Sequence, residues 1–166
     1  MLHIENGGRL LNYSHTAIVA GRVNSIRRLE WFAQKVMGEV AIYSLDYTGK
    51  LSCMPSSNKH LIFEEDEETP GYMANLEACL ASATTIIAYQ SHQFATFQAL
   101  KHCERHNKDL VVLCDDVMPW RYREYENLHA IQQTIYRQAK LFIAANIEVA
   151  DALVLEGVDP DAIRIS

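Results

Sequence analysis

Apolar residues in this chain fall into two patterns: short unbroken runs, and stripes repeating every three or four positions. The last third shows both most clearly. Leu110-Val111-Val112-Leu113 is a buried strand, and Leu128, Ile131 and Ile135 give the next helix its inner face. Leu141 to Ala145 is a second strand, Ile147 to Glu156 a helix, and Asp161 to Ser166 leads into a final strand. Gly157 with Pro160 just beyond is a usual helix stop. Upstream, Thr16 to Ala20 reads as a strand ended by Gly21. Ile26, Leu29, Phe32, Val36 and Met37 mark one face of a helix that Asn24 or Ser25 can cap and Gly38 ends. Residues 39–45 and 60–63 read as strands. Met73, Leu76 and Leu80 predict a helix from about Pro70, and Thr84 to Tyr89 a strand. A helix capped by Ser91 follows, with Phe94, Phe97, Leu100 and Cys103 inward.

The strand runs are continuously apolar rather than alternating, as expected where helices cover both sheet faces. Strands and helices alternate, so right-handed crossovers build a parallel sheet. The fold class is therefore α/β: a doubly wound, mostly parallel, Rossmann-like sheet in three α/β/α layers. One domain spans residues 15–166, preceded by a polar arm over 1–14. Residues 46–58 read as a long loop. Glu64 to Glu68, five acidic residues in a row, read as a solvated loop.

Composition narrows the function classes. The net charge of -6 argues against a general nucleic-acid binder or a polybasic membrane-surface protein. Cys53, Cys79, Cys103 and Cys114 form no Cys-x-x-Cys pair and read as reduced thiols. The first fifteen residues lack a signal-peptide core and no segment is apolar enough to span a bilayer. Cytoplasmic residence is the expectation, with peripheral membrane contact left open.

A parallel sheet gathers its ligand-facing loops beyond the carboxyl ends of its strands. Those loops hold Gly21, Arg22 and Asn24; Gln90, Ser91 and His92; Asp115 and Asp116 with Trp120 and Arg121; and Asn146 with Glu148. Arginine grips phosphate with two parallel hydrogen bonds, so Arg22, Arg27, Arg28, Arg121 and Arg123 could form a phosphate-facing patch; on the helix, Arg27 and Arg28 equally suit a solvated face. Asp115 and Asp116 could accept a hydrogen bond or a proton from a substrate hydroxyl, or could cap a helix or pair with Arg121. Trp120 could stack on a sugar or pack. His102 and His106 have the four-residue spacing of metal ligands on a helix, but the sequence offers no third ligand on that face, so a solvated pair is expected. A Gly-x-Ser-x-Gly elbow and a Gly-x-Gly-x-x-Gly fingerprint are both absent.

The segment from Arg137 to Asn146, the helix Ala150 to Gly157 with Val158, and Ala162-Ile163-Arg164-Ile165-Ser166 together resemble the end of the N-terminal domain of a GT-B glycosyltransferase. The similarity is to the nucleotide-sugar-dependent group related to sucrose and glycogen synthases. Leu110 to Leu113 with Asp115-Asp116 is similar to that family's Val-Val-x-x-His-Asp, with Asp115 at the histidine position. The family's Gly-Gly loop after the first strand is here Gly21-Arg22-Val23-Asn24, with one glycine. The resemblance implies an acceptor-side domain, incomplete without a C-terminal donor domain. It implies transfer of a sugar from a nucleotide-sugar donor to a sugar or lipid-linked acceptor. Asp115 and Asp116 would be the catalytic pair, and Gly21, Arg22, Asn24, Gln90, Ser91, His92, Trp120, Arg121, Asn146 and Glu148 would bind substrate. No metal and no cofactor is implied. The chain alone is expected to be inactive, and a domain lacking its partner half to self-associate. The two departures favour an alternative: a non-catalytic Rossmann-like binding or assembly module.

Overall fold

The computed structural model describes residues 2–4, 15–22, 27–45, 59–117 and 126–166. Its strands are β1 (Leu2–Ile4), β2 (His15–Gly21), β3 (Val40–Leu45), β4 (Lys59–Phe63), β5 (Ala83–Tyr89), β6 (Leu110–Cys114), β7 (Leu141–Ala144) and β8 (Ile163–Ile165). Its helices are α1 (Arg27–Ala33), α2 (Leu76–Leu80), α3 (Phe94–Arg105), α4 (Glu126–Gln138) and α5 (Ile147–Leu155), and a 3-10 turn spans Pro160–Ala162.

All eight strands join one sheet in the order β1-β4-β3-β2-β5-β6-β7-β8. From β2 to β8 every pairing is parallel, and β1 runs antiparallel to β4 at the edge. The expected parallel register of the segments around residues 86, 112 and 143 is present: Ala88 lies beside Val112, which lies beside Phe142. Within the expected N-terminal arm, Leu2–Ile4 is thus a sheet strand; residues 5–14, like the predicted loop 46–58, lie outside the described residues.

Strand faces sort the core into two halves. On one face Leu29 and Ala33 of α1 pack on Ile18, Ile42 and Ile62. On the other, residues of α2, α3, α4 and α5 pack on Ala17, Tyr43, Ile86, Val112 and Phe142. This is the three-layer Rossmann-like arrangement, a single α/β domain. Tyr43, Phe63 and Phe142 are among its largest fully buried side chains. Each such side chain contributes about 1.5–3 kcal/mol relative to exposure.

Three helices depart from the apolar pattern. Helix α1 ends at Ala33, so Met37 leaves the inner stripe and is 94% exposed. Helix α2 begins at Leu76 rather than near Pro70. Met73 pairs with Glu65 in an isolated bridge, and Gln98 takes both backbone groups of Met73: its Oε1 accepts from the N–H at 3.0 Å and its Nε2 donates to the carbonyl at 2.8 Å. Met73 is held there by Gln98, its carbonyl also meeting the Leu76 N–H at 3.4 Å, and Asn75 turns left-handed at φ +62 before the helix starts. In α3 the buried side chains are Ala95, Thr96, Ala99, Leu100, His102 and Cys103. Phe94 and Phe97 are only partly covered, because the small alanines face the sheet while Phe94 packs against Gly71 and Tyr72.

Candidate ligand site at the strand-end rim

Strand order reverses between β2 and β5, the central pair: the chain winds outward through β3 and β4 on one side and through β6, β7 and β8 on the other. In such sheets the crevice at the carboxyl ends of the strands beside the reversal is the usual ligand position. Gly21 ends β2 there and the residues from Gln90 to Gln93 lead into α3, whose first turn opens at the same place.

The β2 loop and the start of α3 are clipped together. The Gln93 side chain donates from Nε2 to the Arg22 carbonyl at 2.7 Å and accepts from the Arg22 N–H at 3.4 Å. Gly21 has φ +59, and a Cβ there would lie 3.0 Å from Gln93 Oε1 and 3.1 Å from the Ala95 Cβ. One glycine thus supplies both the backbone conformation and the close approach. The Arg22 guanidinium bonds Glu65 through Nη2, and the same Glu65 oxygen accepts from the Gly71 N–H at 2.5 Å. Gln93 forms the helix N-cap without a side-chain cap bond, so an N-terminal turn that favours anions stands beside a guanidinium.

One step along the rim, Gln90 sits at φ +67. Its Oε1 accepts from the backbone N–H groups of Asp115 at 3.1 Å and Asp116 at 3.3 Å. This shapes the turn after β6. Tyr89 donates its hydroxyl to Asp115 Oδ2 at 2.7 Å, and Asp116 Oδ1 accepts from the Val117 N–H at 2.8 Å. Asp116 is exposed while Asp115 is half-buried, so Asp116 is the carboxylate better placed to meet a hydroxyl.

His92 is half-buried, and its Nδ1 is buried without a hydrogen-bond partner. Burial lowers its pKa from the ordinary value, partly opposed by the Asp116 carboxylate. The imidazole is thereby held neutral and able to accept a hydrogen bond.

The structure spreads the remaining predicted residues differently. Ser91 does not cap α3: it is fully buried and its Oγ shares a hydrogen bond with the Tyr136 hydroxyl at 3.1 Å. Burial pushes that phenol up to about 12, and the neighbouring Cys114 thiol likewise to about 12. Ser91 thus ties β5 to α4 beneath the rim. Asn146 caps α5, accepting from the Val149 N–H at 2.9 Å, and Glu148 is exposed in that helix's first turn. Both lie on the same rim but two strands from the crevice. Asn24, Trp120, Arg121 and Arg123 lie outside the described residues. Sequence reasoning passed over Gln93, Glu65 and Tyr89. Gln93 could have been noticed as the last residue before a helix on a strand-end loop; Glu65 was hidden in an acidic run.

No protein-family model matches the sequence, and no curated protein matches it either. Solved structures do. Anabaena Alr3699/HepE in complex with UDP superposes with a TM-score of 0.70 at 11% identity, over 90% of this chain and 43% of that one. The fold is that of one GT-B half. The same Anabaena protein with UDP-glucose gives a TM-score of 0.67 at 12% identity. UDP-GlcNAc 2-epimerase from Methanocaldococcus jannaschii gives 0.61 at 10% identity, over 91% of this chain and 45% of that one. The chain therefore spans less than half the length of these neighbours. At such identities the likeness is one of fold, and at that level the GT-B resemblance is borne out. None of the described helices is long and apolar enough to cross a membrane.

Proposed function

We propose that this domain forms the acceptor side of an enzyme that transfers a sugar from a nucleotide-sugar donor, with the donor held between it and a second domain. One observation carries the reading. Arg22 and the first turn of α3 meet at the reversal of strand order, with the Asp115-Asp116 turn one strand along and tied to Gln90, in a fold shared with proteins solved with UDP and UDP-glucose. In this reading Arg22 and the α3 N-terminus face the donor diphosphate, where a charge-assisted grip suits phosphate oxygens. Asp116 accepts a hydrogen bond from the acceptor hydroxyl and takes its proton as that oxygen attacks the anomeric carbon, while the bond from that carbon to the diphosphate oxygen breaks and the nucleoside diphosphate leaves with the electron pair. Asp115, fixed by Tyr89, holds the turn in place. His92, kept neutral by its surroundings, accepts a further hydroxyl. Asn24, Trp120 and Arg121 belong to the same proposal by their sequence positions.

The test has two arms. Titrating the chain with UDP, UDP-glucose and UDP-GlcNAc should raise its melting temperature, by linkage worth about 2.7 kcal/mol at one hundred times Kd. Arg22→Ala should remove the shift. Joined to a GT-B donor domain, the protein should turn over a nucleotide sugar, and Asp116→Ala should lower kcat by about 10²–10⁴.

A non-catalytic binding module is the second reading. Two observations favour it: Asp115 is engaged by Tyr89 where the family places a histidine, and the Gln93 side chain occupies the approach beside Gly21. A chain silent to every nucleotide sugar, with no turnover in the joined protein, would select it.

A further inference from the structure

The opposite edge of the domain carries a second cluster. Helix α3 runs back from the strand-end rim, so its last turn lies near the amino ends of the strands, beside α2. There Glu77 of α2 meets His102 and His106 of α3. Their ligand atoms all lie within 4.8 Å of one another. Glu77 Oε1 stands 3.5 Å from His102 Nδ1 and 3.7 Å from His106 Nε2. A tetrahedral zinc ion bound at about 2.0–2.1 Å sets its ligand atoms about 3.3 Å apart, so closure needs only small side-chain movements.

The chain supplies a second, independent sign. His102 is 1% exposed; its Nε2 makes no hydrogen bond, and its Nδ1 has only the Glu77 carboxylate at 3.5 Å. A buried polar atom without a partner is costly and uncommon.

We propose that Glu77, His102 and His106 bind one borderline divalent transition-metal ion, with zinc as the representative, fastening α2 to the end of α3. The donor set selects the class. Two imidazoles and one carboxylate suit zinc and its neighbours, whereas magnesium and calcium favour all-oxygen shells. Three protein ligands leave a fourth position for water. The thiols do not compete: Cys103 and Cys79 are buried in the core. Two cations adjoin the cluster. Arg105 Nη2 bonds Glu77 Oε1 at 2.8 Å, the same oxygen that faces the histidines, and its exposed side chain can swing clear as the metal takes that oxygen. Lys108 Nζ is held by the carbonyls of Leu80, Ala81 and Ala83, at 3.4, 3.3 and 2.7 Å. Helix α2 has only five residues and would be marginal alone, so a metal bridge to α3 would steady it.

The test uses the tag-free full chain after dialysis against a chelator. Zinc titrated by calorimetry should bind at one equivalent and raise the melting temperature, while magnesium and calcium should not. His106→Ala and Glu77→Gln, both at exposed positions, should each weaken binding more than about tenfold, since even outer-shell losses cost 10–100-fold. His129→Ala, on the exposed side of α4, should leave binding unchanged. Cobalt should give visible absorption bands of a tetrahedral or five-coordinate site, absent in His106→Ala. Absence of stoichiometric zinc binding overturns the proposal. So does binding that persists undiminished in both His106→Ala and Glu77→Gln.

Discussion

Gly21 ends the first parallel strand at φ +59 with the Gln93 amide and the Ala95 methyl against its missing side chain. Gly21→Ala adds a left-handed non-glycine conformation and a contact that the clip must yield to. The expected loss is about 1–3 kcal/mol, read as a lower urea midpoint with unchanged slope. An unaltered midpoint would mean the approach is not tight in solution. Three residues beyond the end of β5, His92 acts through protonation. Its folded-state pKa lies below the ordinary 6.5 because of burial. The unfolded chain therefore takes up the proton first as the solution is acidified. The contribution to stability is complete above about pH 6.5 and is lost as pH falls through the lowered folded value. His92→Gln should flatten the decline in stability between about pH 7 and pH 5, measured by denaturant midpoints across that range; an identical slope in both proteins would show that other groups govern it.

At the scale of elements, the 70–75 segment shows how one side chain can overrule a helical pattern. The stripe Met73, Leu76, Leu80 reads as helix, and α2 does bury Leu76 and Leu80. Gln98, reaching from α3, instead binds both backbone groups of the buried Met73. Gln98→Ala leaves the buried Met73 N–H unsatisfied and its carbonyl with only the Leu76 N–H at 3.4 Å, and should cost about 1–3 kcal/mol, or several degrees in melting temperature. Faster amide exchange confined to residues 70–75 is the expected signature, and uniform protection would count against the clamp. The α3 stripe was misread for a related reason. Spacing located the helix, but its rotation depends on which neighbours are small. Ala95 and Ala99 seat against the sheet, and Phe94 finds Tyr72 at 5.8 Å between ring centres.

At the scale of the whole molecule, stability rests on a sheet covered on both faces. Phe142 lies at 0% exposure in β7, packed against Tyr136 of α4 with ring centres 6.0 Å apart. Phe142→Ala should cost about 3–5 kcal/mol, a large part of the ~5–15 kcal/mol typical of a domain. Calorimetry should show a much lower melting temperature; a loss below about 1 kcal/mol would mean that the α4 layer collapses into the cavity.

The chain's own pattern determined the α/β class, the parallel strands from β2 to β8 and the rim on which Gly21, Gln90, His92, Asp115, Asp116 and Asn146 lie, because strand and helix periods are properties of neighbouring residues. Parallel order then follows from handed crossovers that every such chain obeys. Tertiary structure alone decided which side chains meet. It sent Ser91 under the rim to Tyr136, joined Arg22 to Gln93 across seventy-one positions and carried Glu77 to the histidine pair. Such meetings depend on the rotation and depth at which elements pack, and these are set by contacts between distant segments.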